Sequence, residues 1–175
     1  FAPFKSQNFE PLNKSWLIAE ADPVKRTLTS VFNAQGQQQP FTQALAEHLG
    51  CNEQQLSERL KGLTFAVKVG EAFFIRSVAK MASQSVQFFC DLEFGDRLYL
   101  MRETDFKQAT QRDWQAFTQR HGKPAAILMN DCILRRVGNA DKLHDAHFFK
   151  GIPAAGFSSF GEILGVPINQ TLSAL

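Results

Sequence analysis

The sequence predicts an α+β fold, a mostly antiparallel sheet with helices packed against it. Two observations carry that reading. The hydrophobic period is near 3.6 as far as Gly62, drops to 2 through about Glu103, and returns to 3.6 from Thr104 to Gly122, after which short strand and helix patterns alternate. Helical and strand segments therefore occur in separate blocks, joined by short Gly and Pro turns with no long linker or repeat, which is the pattern of helices laid on a sheet. At 175 residues, 44% hydrophobic and 21% charged, the chain is long enough to bury one well-formed core.

Each element follows from its own residues. Positions 1–15, "FAPFKSQNFEPLNKS", mix Phe and Pro without period and read as an extended lead-in to a single domain spanning 16–175. A short apolar strand is expected from Trp16 to Ala19, then a helix with Asp22 as N-cap, Pro23 at its first position and Gly36 beyond its end. "PFTQALAEHLG" reads as a second helix closed by Gly50, and "NEQQLSERLKG" as a third, capped by Asn52 and stopped by Gly62. "LTFAVKV", "AFFIRSV", "SVQFFCDL" and "RLYLMRE" read as an antiparallel meander of about four strands, with Val86, Phe88, Cys90 and Leu92 on one face and Cys90 as a core thiol. In "TDFKQATQRDWQAFTQRHG" Thr104 can cap a helix whose Phe106, Thr110, Trp114 and Phe117 share a stripe, ended by Gly122 and Pro124. The strand "AAILMNDCIL", the helix "NADKLHDAHFFKG", the strand "PAAGFSSFGEIL" and an apolar "NQTLSAL" complete the chain.

Bulk properties exclude several functions. The net charge is +2 with basic residues dispersed along the chain, which argues against a nucleic-acid surface. No apolar run approaches the ~18 residues that a membrane span requires. Three cysteines, Cys51, Cys90 and Cys132, are widely separated and odd in number, which favours a reducing, cytoplasmic setting over a disulfide scaffold. The chain lacks an initiator Met and a signal pattern, and reads as a piece cut from a longer protein.

Chemistry-bearing residue types gather between Cys132 and Ile163. Cys132 stands where a strand passes into a helix or turn, where unpaired backbone N–H groups and Arg135 and Arg136 would favour a thiolate. As a nucleophile it needs a base within reach, so it is either that or a packed or ligand-lining cysteine. His144 and His147 lie three apart on a helical pattern, as metal ligands with Asp141 or Asp145 or as a solvated face. No metal or cofactor motif accompanies them, and no cofactor and no catalysis are expected. In "GFSSFGEI", Gly156 and Gly161 mark a bulge or a close approach by another chain or a ligand. Ser158, Ser159 and Glu162 add hydroxyls and a carboxylate there, in contact with a ligand or in a kinked core strand with Glu162 paired to an arginine such as Arg135.

This corner resembles the C-terminal domain of the FIST family (F-box and intracellular signal transduction proteins). The resemblance rests on Cys132-x-x-Arg135, on "PAAGFSSFGEI" from Pro153 to Ile163 and on "NQTL" from Asn169 to Leu172, with weaker similarity in "VAKMASQSVQFFCDLEFGDRLYLMR". It implies a sensory input domain of a bacterial signalling protein that binds a small molecule, an amino acid or related metabolite, and relays occupancy. The implied partners are an N-terminal FIST domain and an output domain of the chemotaxis-receptor, diguanylate cyclase or kinase kind; eukaryotic relatives carry an F-box, which this chain lacks. The ligand-binding set that follows is Cys132, Arg135, Gly156, Ser158, Gly161, Glu162, Asn169 and Thr171, with Arg135 meeting a carboxylate and Glu162 an amine. The competing reading is a protein-interaction module: seventeen Phe against one Tyr exceed what one small core readily absorbs, and an exposed aromatic patch would mark an interface.

Overall fold

The computed structural model describes residues 2–143, 147–163 and 166–175, with 162 and 163 described by their backbone alone. It has the expected α+β class, dominated by antiparallel pairing. The lead-in expected over 1–15 is extended, as strand β1 (Phe4–Ser6) and the first part of β2 (Phe9–Asp22). The chain read as one domain divides into two compact units, Glu10–Glu103 and, drawn from both ends of the chain, Phe1–Phe9 with Thr104–Leu175. The division arises because β1 pairs with the last strand of the chain, while β2 runs into the middle of a different sheet.

In the Glu10–Glu103 unit, β3 (Thr27–Phe32) folds back on β2 and is followed by β4 (Gln38–Pro40) and helix α1 (Phe41–Leu49). The helix expected over Asp22–Gly36 is thus a β-hairpin. Asp22 and Pro23 open a turn, not a helix: Asp22 Oδ1 accepts the Lys25 N–H at 2.9 Å, and Arg26 closes the turn with φ +56°. The β-branched Thr27, Thr29 and Val31 then favour strand. Helix α1 ends at Gly50 in the left-handed region, as expected, and Asn52 forms a reciprocal capping box with Gln55 before the short helix α2 (Leu56–Arg59).

The strands expected after Gly62 are present as β5 (Leu63–Val69), β6 (Ala72–Arg76), β7 (Val78–Met81), β8 (Val86–Phe88) and β9 (Arg97–Glu103). Their order departs from a meander. The sheet runs β6-β5-β9-β2-β3-β8-β7 with β4 added on β3, so β9 pairs with β5 and β2 and not with its sequence neighbour β8. Trp16, Phe41, Phe65 and Phe88 form a chain of ring contacts at 5.6, 5.6 and 5.8 Å through this core. Cys90 is buried with Val86, Phe88 and Leu92, as the alternation predicts.

In the other unit, helix α3 (Phe106–His121) is capped by Asp105, whose Oδ1 accepts the Gln108 N–H at 2.8 Å, one residue later than expected. Thr104 instead donates its backbone N–H to the Asn8 carbonyl at 2.8 Å. Strand β10 (Ile127–Cys132) passes directly into helix α4 (Ile133–Gly138), then α5 (Ala140–Leu143). Strands β11 (Ala154–Ser159), β12 (Glu162–Ile163), β13 (Pro167–Ile168) and β14 (Leu172–Ala174) follow. The four-stranded sheet is ordered β1-β14-β10-β11, and β10 and β11 are parallel, with α4 and α5 on the connection between them. Phe4 seals its core by edge contacts to Trp114, Phe117 and Phe149 at 5.7, 5.7 and 6.1 Å. The surplus of Phe is thereby shared between two aromatic clusters, one in each unit.

Candidate functional site

The parallel β10–β11 pair and the helix that leaves β10 define the corner singled out in the sequence. Cys132 ends β10 and stands at the N-cap position of α4, so the chain turns from strand to helix without a loop. That turn brings Arg135 back over the last residues of its own strand. Arg135 Nη1 donates to Asp131 Oδ1 at 2.9 Å, Nη2 donates to Thr110 Oγ1 of α3 at 2.9 Å, and the guanidinium lies 5.0 Å from the Phe106 ring centroid. With a side chain 3% exposed, Arg135 is an internal tie between α4, β10 and α3. Among the described residues its carboxylate partner is Asp131; the pairing expected with Glu162 involves a side chain outside the described residues, and the Glu162 backbone pairs with Ile168 in the β12–β13 ladder.

Arg136 differs from its neighbour. It is exposed, donates from Nη1 to Ser158 Oγ at 2.9 Å, and has no carboxylate within ion-pair distance among the described residues. Arg136 and Asp131 line an open cleft of about 310 Å3 with Leu143, Phe148, Phe149 and Phe157. Burial pushes the Asp131 carboxyl above the usual range, and the Arg135 guanidinium, a second contact from its hydrogen bond and then Arg136 pull in the opposite direction without cancelling it. Among the described residues the cleft therefore presents one guanidinium with no carboxylate partner, one carboxylate paired with Arg135, and three aromatic rings.

The expected site residues divide. Arg135 and Gly156 line the cleft and Ser158 holds Arg136 at its side. Gly156 is explained by its own neighbour strand: a Cβ there would sit 2.2 Å from the Met129 carbonyl oxygen on β10. Gly161 has φ +153°, and a Cβ would meet the Ile168 carbonyl at 3.0 Å and the Asn169 amide at 3.1 Å. Cys132, Asn169 and Thr171 form a buried corner, in which Thr171 donates from Oγ1 to the Asn169 carbonyl at 2.9 Å and accepts the Cys132 N–H at 3.0 Å. His144 lies outside the described residues, and His147 is exposed beyond α5. Sequence reasoning named Arg136 only as a charge beside Cys132, and did not single out Asp131 or the three Phe residues as lining a cleft. Asp131 and Arg135 are four apart, but the pair straddles a strand end and a helix start, where helical spacing is not readable in advance.

Complete burial of Cys132 has a direct consequence. In the folded protein an alkylating reagent is expected to modify the partly exposed Cys51 first, with Cys90 and Cys132 labelled only after denaturant is added, as read by peptide mass spectrometry. Rapid native labelling of Cys132 would show that this corner opens.

No helix among the described residues is long and apolar enough to cross a membrane. Comparison with curated proteins and with solved structures gave no match. A family model does match, that of the FIST C domain, over residues 42–165, which takes in the whole of β10, α4 and β11. The chain belongs to the FIST C-domain family, a sensory-type family of signal transduction.

Proposed function

We propose that this chain is a sensory input domain that binds a small molecule in the cleft beside β10 and β11 and relays its occupancy to an output domain. The observation that carries the reading is the division of labour between two adjacent arginines. Arg135 is spent inside the protein on Asp131, Thr110 and Phe106, while Arg136 lines the cleft and, among the described residues, donates to the Ser158 hydroxyl and to no carboxylate. A guanidinium held this way exchanges a neutral acceptor for an anionic one at little cost, and its planar fork suits a carboxylate. The role first expected of Arg135 thus passes to Arg136. Rings of Phe148, Phe149 and Phe157 supply an apolar wall for the rest of a ligand, and the outer part of Asp131 supplies an acceptor for an amine. An amino acid or related metabolite has that combination of groups. Nothing in this arrangement calls for bond-making chemistry, and the domain acts by differential affinity for two conformations and not as an enzyme. The setting is a cytoplasmic bacterial protein, with an N-terminal FIST domain and a signalling output domain as partners.

A thermal-shift screen of amino acids and small carboxylates is expected to raise the unfolding temperature of this chain. At a ligand concentration of about 100 Kd the stabilisation is ~2.7 kcal/mol. For a chain of this size that is a rise of roughly 5–10 °C. The second reading, a protein-interaction module, is favoured by the exposure of Leu128, Val137, Phe157 and Phe160 around the same corner. A screen without a hit, together with concentration-dependent association through these residues, would establish that reading in place of the first.

A further inference from the structure

A second concave site lies in the Glu10–Glu103 unit, independent of the cleft beside β10. Strand β3 pairs with β2 only from Leu17 onward, and the chain then turns away through Asn33 to Gly36 and returns as β4 and α1. The space left beside the earlier part of β2 is an open cleft of about 990 Å3. Lys14 on β2, Arg97 on β9 and His48 on α1 all line it.

Among the described residues, Lys14 and Arg97 lack the carboxylate partners that four other cations of the unit have: Lys25 pairs with Asp22, Lys61 with Glu58, Lys68 with Glu71 and Arg102 with Glu10. In the cleft Lys14 lies 5.0 Å from the Trp16 ring centroid, and Arg97 Nη1 donates to the Ser15 hydroxyl at 3.3 Å. Neither has a carboxylate partner among the described residues. Glu47, the one acid lining the cleft, accepts a hydrogen bond from Gln43 at 2.9 Å. Burial first, and the Lys14 charge second, hold the His48 imidazole below its usual range. Two fixed positive charges and a third group able to gain one thus share a concavity, opposed by one carboxylate.

We propose that this cleft binds a small molecule through a phosphate group, with Lys14 and Arg97 as its fixed cations and His48 as a third donor when protonated. A dianionic phosphate matches two fixed charges better than a single carboxylate does. The cleft is far larger than a phosphate ion, so the natural ligand carries a further body, and Gln35 and Gln39 also line the space it would take. The charged groups that line the cleft with His48 are Lys14 from β2, Arg97 from β9 and Glu47 from its own helix, and of these Lys14 acts on the imidazole. Bound phosphate would add negative charge among them and favour the imidazolium, which reverses the present depression.

The experiment is an NMR pH titration of His48 in the full chain, at constant ionic strength, with pyrophosphate and with succinate as probes. Saturating pyrophosphate is expected to raise the His48 pKa by roughly half a unit to one unit. Lys14→Gln should raise the His48 pKa in the free protein by removing a like charge. Both Lys14→Gln and Arg97→Gln should weaken pyrophosphate binding about tenfold while leaving the circular dichroism spectrum unchanged. Absence of a saturable His48 response, an equal response when Lys14→Gln and Arg97→Gln are combined, or succinate binding as tightly as pyrophosphate would each overturn the proposal.

Discussion

Replacing Asp131 with alanine is expected to destabilise the protein by about 3–5 kcal/mol, with a cost that shrinks as pH rises because the parent alone loses stability when Asp131 ionises. The substitution strands the Arg135 guanidinium, whose side chain is 3% exposed, without its counter-charge, and an arginine cannot escape by losing its proton. The opposite replacement, Arg135→Ala, removes the cation and leaves a carboxylate that can take up a proton. Its cost is expected to be similar near neutral pH and to shrink on acidification. The sign follows from the direction of the Asp131 shift. Burial raises its pKa in the folded state above the unfolded value, so the folded chain holds the proton to higher pH. Ionisation of Asp131 therefore lowers stability as pH rises from the ordinary carboxylate range through the folded value. Without Arg135 the folded value moves higher still, and the penalty is relieved at any pH below it. Denaturant unfolding of both variants between about pH 4 and pH 8 reads the difference. Parallel pH profiles would show that the two groups do not form the coupled pair described here.

Gly156→Ala is expected to cost about 3 kcal/mol, at the upper end of what an inserted methyl group usually costs. A Cβ at this position would lie 2.2 Å from the Met129 carbonyl oxygen and 2.8 Å from the Met129 Cβ, both on the paired strand β10. The nearer neighbour is backbone, which cannot rotate away as a side chain would. The usual gain from restricting the unfolded chain when Gly becomes Ala is ~0.4–1 kcal/mol, too small to offset the clash. Because β11 is an edge strand, it can yield by sliding from β10, and the cleft it lines would deform with it. The unfolding temperature should fall by roughly 10 °C. A variant as stable as the parent would show that the two strands are not so closely apposed.

Local signals explain which parts of this fold were legible. Gly50, Asn52 and Gly122 act within a few residues of themselves, and the helix ends they imply are where the sequence places them. Asp22-Pro23 was ambiguous for a physical reason: an acceptor followed by a fixed φ suits a helix N-terminus and a tight turn equally, and the β-branched residues after it decided for the turn. Strand identity was readable from the period, but strand order was not. That β9 joins β5 and β2, and that β10 and β11 run parallel, are long-range facts which alternation along one segment does not encode. At the candidate site, residue types are legible in the sequence while their exposure is not. "LRR" offers two similar arginines, and only the turn from β10 into α4 buries one and leaves the other facing the cleft. Gly156 likewise marked a close approach, which proves to be that of its own neighbouring strand.

The reading of this chain as a ligand sensor stands on Arg136. Titration calorimetry of a carboxylate ligand found by thermal shift, against the parent chain and Arg136→Ala, tests it most directly. Saturable heat from the parent, weakened at least tenfold in Arg136→Ala with the unfolding temperature retained, is the predicted result, since one charge-assisted pair contributes about 1.5–3 kcal/mol. Equal affinity in both proteins, or no saturable heat from any carboxylate in the screen, would contradict it.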